Sequence, residues 1–137
     1  MLRLMQSGEN FRAQMIARTK IFALRIYNLC SSLPNTIEAK HIRSQLFRCA
    51  TSVAANYRAA HRAKSDKDYL NKLKICEEES DESCFWLDMC VECHFVSAKQ
   101  VADLMHEAEE ITSIIVTSCI TKRRNIEAKK HLNNKEP

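Results

Sequence analysis

The chain has 137 residues, 45% of them hydrophobic and 28% charged, a composition that excludes disorder and suits one domain with a buried core. One glycine and two prolines argue against a sheet protein, whose turns need many more of both, and predict a few long helices joined by short connections. The net charge is +4, and the sequence has neither an export signal nor an apolar run long enough to cross a membrane, so we expect a cytoplasmic protein without a membrane partner.

A proline turn separates the first two predicted helices. Residues 1–9 are predicted to be an N-terminal extension, and the first helix covers about residues 10–33, where Pro34 stops it. Asn35, with Glu38 three residues later, is predicted to cap the second helix. Two stripes at helical spacing are predicted to face the core: Met15, Thr19, Phe22, Ile26, Leu29 and Leu33, then Ile42, Leu46, Cys49, Val53, Asn56 and Ala60.

Serine caps are predicted to open the other two helices. Ser65 with Asp68 begins the third, and Ser97 with Gln100 begins the fourth. Residues 129–137 lack an apolar pattern and are predicted to be a frayed basic tail. The predicted core stripes are Leu70, Leu73, Glu77, Ser80, Cys84, Leu87 and Val91, then Val101, Leu104, Ala108, Ile111, Ile115 and Cys119.

Four such helices with short connections are typical of an all-α, antiparallel up-and-down four-helix bundle, here one domain over residues 10–128. The segment ITSIIVTSCI (111–120) is apolar nearly all round, so it needs cover on more than one side. Large apolar residues also fall off the stripes, namely Ile21, Leu24, Phe85 and Met89. This surplus predicts a homo-oligomer.

Charge is strongly segregated along the chain. Residues 1–75 carry a net +10, residues 76–110 carry −10, and residues 111–137 carry +4. We expect the acidic segment to lie against basic ones, within the fold or between subunits. The remaining basic surface is a candidate for RNA or DNA, because Lys and Arg neutralise phosphates without reading sequence. The candidate nucleic-acid-binding residues are Arg48, Arg58, His61, Arg62, Lys122, Arg123 and Arg124.

Three polar residues are predicted to meet between the second and third helices. Asn56 and Glu77 lie on core stripes, and Ser52 precedes Asn56 by one turn. The three side chains are predicted to share a buried hydrogen-bond network that fixes the register of the two helices. A ligand pocket is the alternative interpretation of the same residues.

Signals for catalysis or for bound metal are weak. The seven cysteines are an odd number, lie mostly among apolar residues, and are predicted to be reduced core residues. The segment Cys90–Val–Glu–Cys93–His94 matches the c-type haem attachment pattern and half of a zinc site, but no second ligand pair has suitable spacing. No glycine-rich phosphate loop is present, and no nucleophile has a supporting base. We therefore expect no enzyme, no metal and no cofactor.

Most of the chain resembles a known family. The matching pieces are FALRIY (22–27), the LP turn (33–34), QLFRCATSVAANYR (45–58), RAKS-x-x-DY (62–69) and EEESDESCFWL (77–87). From about residue 20 to residue 104 the chain resembles the bacterial four-helix-bundle proteins of the 23S rRNA intervening-sequence family, and it is similar also to the accessory variability proteins of diversity-generating retroelements. The resemblance implies a bundle that assembles as a ring, in known relatives a homopentamer. The retroelement proteins are basic pentameric barrels that bind nucleic acid and partner a reverse transcriptase.

Four positions depart from the family pattern. Ala59 stands where many relatives carry Glu, Cys49 where Ser is common, Lys74 where small residues are frequent, and His94 where Gly often ends the third helix. The change at position 59 makes the neighbouring stripe more basic. The leading hypothesis is a non-enzymatic, homo-oligomeric bundle that binds RNA or DNA non-specifically. The alternative is a scaffold or adaptor that binds a protein partner, such as a reverse transcriptase, with no nucleic-acid contact of its own.

Overall fold

The structure, a computed structural model, describes residues 2–135, with side chains from residue 6 onward. Over this range the chain forms four α-helices and no strand. The predicted all-α class is confirmed, and the architecture is consistent with a four-helix bundle. The helices are α1 (Leu2–Ser31), α2 (Ile37–Ala60), α3 (Asp66–Glu92) and α4 (Ala98–Asn133).

The two outer helices are longer than their apolar stripes. α1 begins at Leu2, within the predicted extension, and α4 runs to Asn133, within the predicted tail. Among the described side chains, burial starts at Met15 and ends at Cys119. Apolar periodicity marks only where a helix meets a core, so it could not reveal turns that continue past the core. Residue 1 and residues 136–137, which belong to the predicted extension and tail, lie outside the described residues.

Polar side chains begin α2, α3 and α4. Thr36, not Asn35, caps α2, and its hydroxyl accepts a hydrogen bond from the backbone N–H three residues on, at 3.2 Å. The predicted cap was one residue early, because Asn and Thr are both good caps and the sequence cannot separate neighbours of this kind. Ser65 and Ser97 cap α3 and α4 as predicted, and Ser97 forms a reciprocal capping box with Gln100.

The predicted core stripes are largely correct for α1, α2 and α4 and partly wrong for α3. In α1, α2 and α4 all are buried except Leu29 and Asn56, which are half-buried. In α3 the buried residues are Leu73, Cys76, Ser80, Ser83, Leu87 and Cys90. Leu70, Glu77, Cys84 and Val91 are only half-buried, and next to the last three the small residues Cys76, Ser83 and Cys90 face inward instead. This rotation keeps the Glu77 carboxylate out of the core, where an ionised group is costly.

The core is shared among all four helices. Each helix packs against the next one along the chain, and α4 also contacts α1. Among the largest fully buried side chains are Tyr57, Phe22 and Leu46, which come from α1 and α2. No helix within residues 2–135 is both long and apolar enough to span a bilayer.

Candidate nucleic-acid interface

Positive charge is concentrated where three segments meet, namely residues 6–14, 55–75 and 117–135, which we call the basic end. It carries 13 Lys and Arg against 4 Asp and Glu, a net charge of +9. The remaining side chains between residues 15 and 116 carry 7 Lys and Arg against 12 Asp and Glu, a net charge of −5. The modest overall charge of the protein therefore hides a strong dipolar distribution.

A large cavity lies at the basic end. It has a volume of about 970 Å³ and is open to solvent. Phe11 and Arg12 of α1 line it, together with the α2–α3 connection and the second half of α4. The Phe11 ring is 45% exposed even though it faces this cavity. Elements far apart in sequence thus enclose one space whose lining is partly cationic and partly aromatic.

Five arginines at the basic end are exposed. They are Arg12, Arg58, Arg62, Arg123 and Arg124. None of them takes part in an ion pair among residues 6–135. An exposed guanidinium without a carboxylate partner is free to contact a phosphate, often through two of its N–H groups.

Lys122 lies at the wall of the cavity and is partly engaged. Its ammonium pairs with the Asp66 carboxylate at 2.9 Å and lies 5.5 Å from the centre of the Tyr69 ring. The hydrogen bond from Lys122 lowers the pKa of Asp66. The structure therefore places Lys122 at the predicted site, but in a contact that holds the start of α3 against α4.

His61 is oriented differently from the arginines near it in sequence. Its ring packs edge-on against Tyr57 at 4.8 Å and against Tyr69 at 5.9 Å. Both ring nitrogens are buried, and neither has a hydrogen-bond partner among the described residues. Burial, with a smaller contribution from Arg12, lowers the pKa of His61. The imidazole is thus a neutral part of the cavity lining, and its nitrogens are buried.

Arg48, the first member of the predicted basic stripe, is neutralised by α3. Its guanidinium donates to Glu79 at 3.1 Å and to Glu82 at 2.9 Å. It also lies 3.2 Å from the Cys49 sulfur. These contacts bear out the expectation that the acidic segment lies against basic residues within the fold. A second such pair joins α1 to α4, where Arg18 binds Glu107 and Glu110.

Cys49, Glu79 and Glu82 bring three potential metal-ligand atoms within 4.8 Å of one another. The guanidinium of Arg48 already supplies the positive charge that this cluster requires. Burial, the largest cause, raises the pKa of the Cys49 thiol, so the sulfur is protonated at neutral pH. The cluster is an internal ion-pair network built around an arginine.

The predicted polar network is only partly assembled. The Asn56 amide donates to the Ser52 backbone oxygen at 2.9 Å and to its hydroxyl at 3.1 Å. The Glu77 carboxylate pairs instead with Lys74 at 3.4 Å, on its own helix. One hydrogen bond between α3 and α4 runs from the Thr112 hydroxyl to the Ser80 hydroxyl, at 2.8 Å. Sequence analysis missed it because Thr112 lies beside the apolar stripe of α4 and carries no signal of its own.

The Cys90–His94 segment forms the end of α3. His94 has φ of 60°, the left-handed conformation that commonly ends helices. The N–H of His94 donates to Val91 O at 2.9 Å and that of Phe95 to Cys90 O at 3.0 Å, the paired bonds of a Schellman motif. Cys90 is buried whereas Cys93 is exposed. The motif letters therefore coincide with a helix C-cap in which His94 occupies a position that favours glycine.

The family model described as 23S rRNA-intervening sequence protein matches residues 12–117. The chain belongs to this family. A crystal structure of a protein with unknown function, from the S23 ribosomal protein family of Bacteroides thetaiotaomicron, is similar to it with a TM-score of 0.72 and 29% identity. The similarity covers 79% of this chain and 96% of that one. Among curated proteins, none matches this chain.

The family match leaves out part of the basic end. It stops at residue 117, so Lys122, Arg123 and Arg124 lie beyond it, and Phe11 lies just before it. The similar crystal structure is likewise shorter than this chain, which extends beyond the 79% that aligns. The family fold thus provides the packed helices, while turns of α1 and α4 outside the family match complete the cavity and supply 6 of the 13 Lys and Arg of the basic end.

Proposed function

We propose that this family member is a non-enzymatic, cytoplasmic protein that binds RNA or DNA through its basic end without reading sequence. The observation that carries the proposal is that Arg12, Arg58, Arg62, Arg123 and Arg124 are exposed and take part in no ion pair among residues 6–135, within a region of net charge +9. Exposed guanidinium groups reach phosphate oxygens readily. Counterion release on contact supplies the binding free energy.

Arg48 has no part in this proposal. Its charge is balanced by Glu79 and Glu82, and a phosphate would have to compete with both carboxylates. His61 is excluded as a phosphate ligand because its nitrogens are buried and its lowered pKa favours the neutral ring. The proposed interface therefore moves away from the middle of α2, toward its C-terminal end and that of α4.

We also propose that the helices run antiparallel, up and down, and that copies assemble into a ring. Short connections and contacts between consecutive helices support the first part. An exposed apolar patch on α1 and α2 supports the second; it consists of Ile21, Leu24, Tyr27 and Phe47.

We expect Leu24→Glu to yield monomers by light scattering. Ile37→Glu, at a lone apolar side chain that is 84% exposed, serves as the control and leaves the assembly intact.

Salt titration tests nucleic-acid binding. Mixed-sequence RNA and DNA are titrated by fluorescence anisotropy between 50 and 200 mM salt, and the affinity should fall about tenfold or more across this range. The absence of binding to either polymer at 50 mM salt would contradict the proposal. The scaffold function, in which the protein binds only another protein, would then be the better interpretation.

A pair of variants matched in charge tests whether nucleic acid binds at the basic end. One carries Gln at Arg58, Arg62, Arg123 and Arg124 of the basic end, and the other carries Gln at Lys20, Arg25, Lys40 and Lys99, which lie elsewhere. Both lose four positive charges. The first should weaken binding roughly tenfold to a hundredfold and reduce the salt slope by about 3, whereas the second should change both only slightly. Equal losses in the two variants would show that net charge, and not this surface, determines binding.

A further inference from the structure

We infer that the cavity at the basic end takes the bases of single-stranded nucleic acid and thereby favours single strands over duplex. The inference rests on the proposed function, because it assumes that the polymer's phosphates contact the arginines around the cavity. It adds base stacking within a cavity of limited size to a site that is otherwise defined by its positive charge.

The size of the cavity fits this ligand. Its volume of about 970 Å³ is at the upper end of the range for sites that enclose a small organic molecule. It is therefore large enough for a nucleotide. It is bounded by α1, α4 and the α2–α3 connection, so its walls come from three separate parts of the fold.

The lining supplies an aromatic platform. Phe11 faces the cavity with 45% of its surface exposed, on a turn of α1 that precedes Met15, the first buried residue among the described side chains. Among the described residues, Phe11 is not one of those that form the core cluster or pack against it. Bases of a single strand stack on such rings with little sequence preference, whereas the bases of a duplex are already stacked on each other.

Charge and polarity around the platform complete the site. Arg12 of α1 and Lys64 of the α2–α3 connection both lie in the lining. The two acidic residues of the lining are both already paired, Asp66 with Lys122 and Glu110 with Arg18, so they repel a phosphate less than free carboxylates would. α4 contributes uncharged hydrogen-bonding groups suited to base edges and sugars: Ser113, Thr117, Ser118, Thr121 and Asn125.

The test compares a mixed-sequence single strand of about fifteen nucleotides with its duplex, using the full chain and its Phe11 variants. Phe11→Ala should weaken single-strand binding about five- to 150-fold, while duplex binding stays within twofold. Phe11→Trp should retain single-strand binding because the indole also stacks. Phe85→Ala, which removes a phenylalanine of similar exposure (53%) outside the cavity, should change neither affinity.

The outcomes separate the inference from the proposed function. If the wild type binds both polymers but Phe11→Ala leaves the single-strand affinity unchanged, or lowers both affinities equally, the base-binding cavity is wrong and binding through the arginines stands. If the wild type binds neither polymer, both are wrong. Since Phe11 precedes the buried part of α1, an unchanged thermal midpoint for Phe11→Ala confirms that its effect on binding is not due to unfolding.

Discussion

Arg48 and Arg62 lie on or just beyond the same helix, and the structure places them in two different electrostatic regions. Arg48 contacts two glutamates of α3 and holds two helices together, whereas Arg62 is exposed and belongs to no ion pair among residues 6–135. Around Arg48 the protein has an excess of acidic residues, and around Arg62 it has an excess of basic ones. A row of positive residues along a helix is therefore not one surface. Each arginine in such a row either stabilises the fold or is available for binding, depending on whether the facing helix places a carboxylate beside it.

Substitution of Arg48 should produce the largest effect on folding. Arg48→Gln leaves Glu79 and Glu82 close together without their cation, and we expect it to lower the free energy of unfolding by about 1–2 kcal/mol. Urea denaturation measures this change. Nucleic-acid affinity should stay within twofold of wild type at a temperature where the variant is folded. A large loss of affinity with no loss of stability would place Arg48 in the binding surface after all.

Arg62→Gln should do the opposite of Arg48→Gln: it should lower nucleic-acid affinity and leave the free energy of unfolding nearly unchanged. Removing one phosphate contact should lower affinity about threefold and reduce the salt slope by slightly less than 1. Because the side chain is exposed and makes no ion pair, the free energy of unfolding should change by less than about 0.5 kcal/mol. A destabilisation as large as that of Arg48→Gln would mean that Arg62 also stabilises the fold, which contradicts the proposed difference between the two regions.

His61 should have a smaller effect, which is on the pH dependence of folding stability. It follows the last residue of α2 and faces Tyr57 of α2, Tyr69 of α3 and the charge of Arg12 in α1, and its pKa in the folded protein is lowered, chiefly by burial. The unfolded chain therefore takes up a proton near pH 6.5 while the folded chain does not, so stability falls as the pH drops below that value. In His61→Phe the stability should depend less on pH between 7.5 and 5.5. An unchanged slope would mean that His61 is readily protonated in the folded protein.

The sequence predicted the number of helices, the caps at Ser65 and Ser97, and the buried stripe of α4, because each depends on residues close together in the chain. It failed where the outcome depended on another helix. The inward rotation of α3 toward Cys76 and the neutralisation of Arg48 both need the facing helix to be known. The cavity could not be predicted at all, since its walls come from three segments and the turn that carries Phe11 has no apolar stripe.

Lysine footprinting is the most direct test of the claim that nucleic acid binds at the basic end. Exposed lysines are acetylated with and without a mixed-sequence single strand at low salt, and each site is quantified by mass spectrometry. We predict protection of Lys64, Lys129 and Lys130 at the basic end, and unchanged reactivity of Lys20, Lys40 and Lys99 elsewhere. Equal protection of both groups, or protection of the second group alone, would contradict the claim.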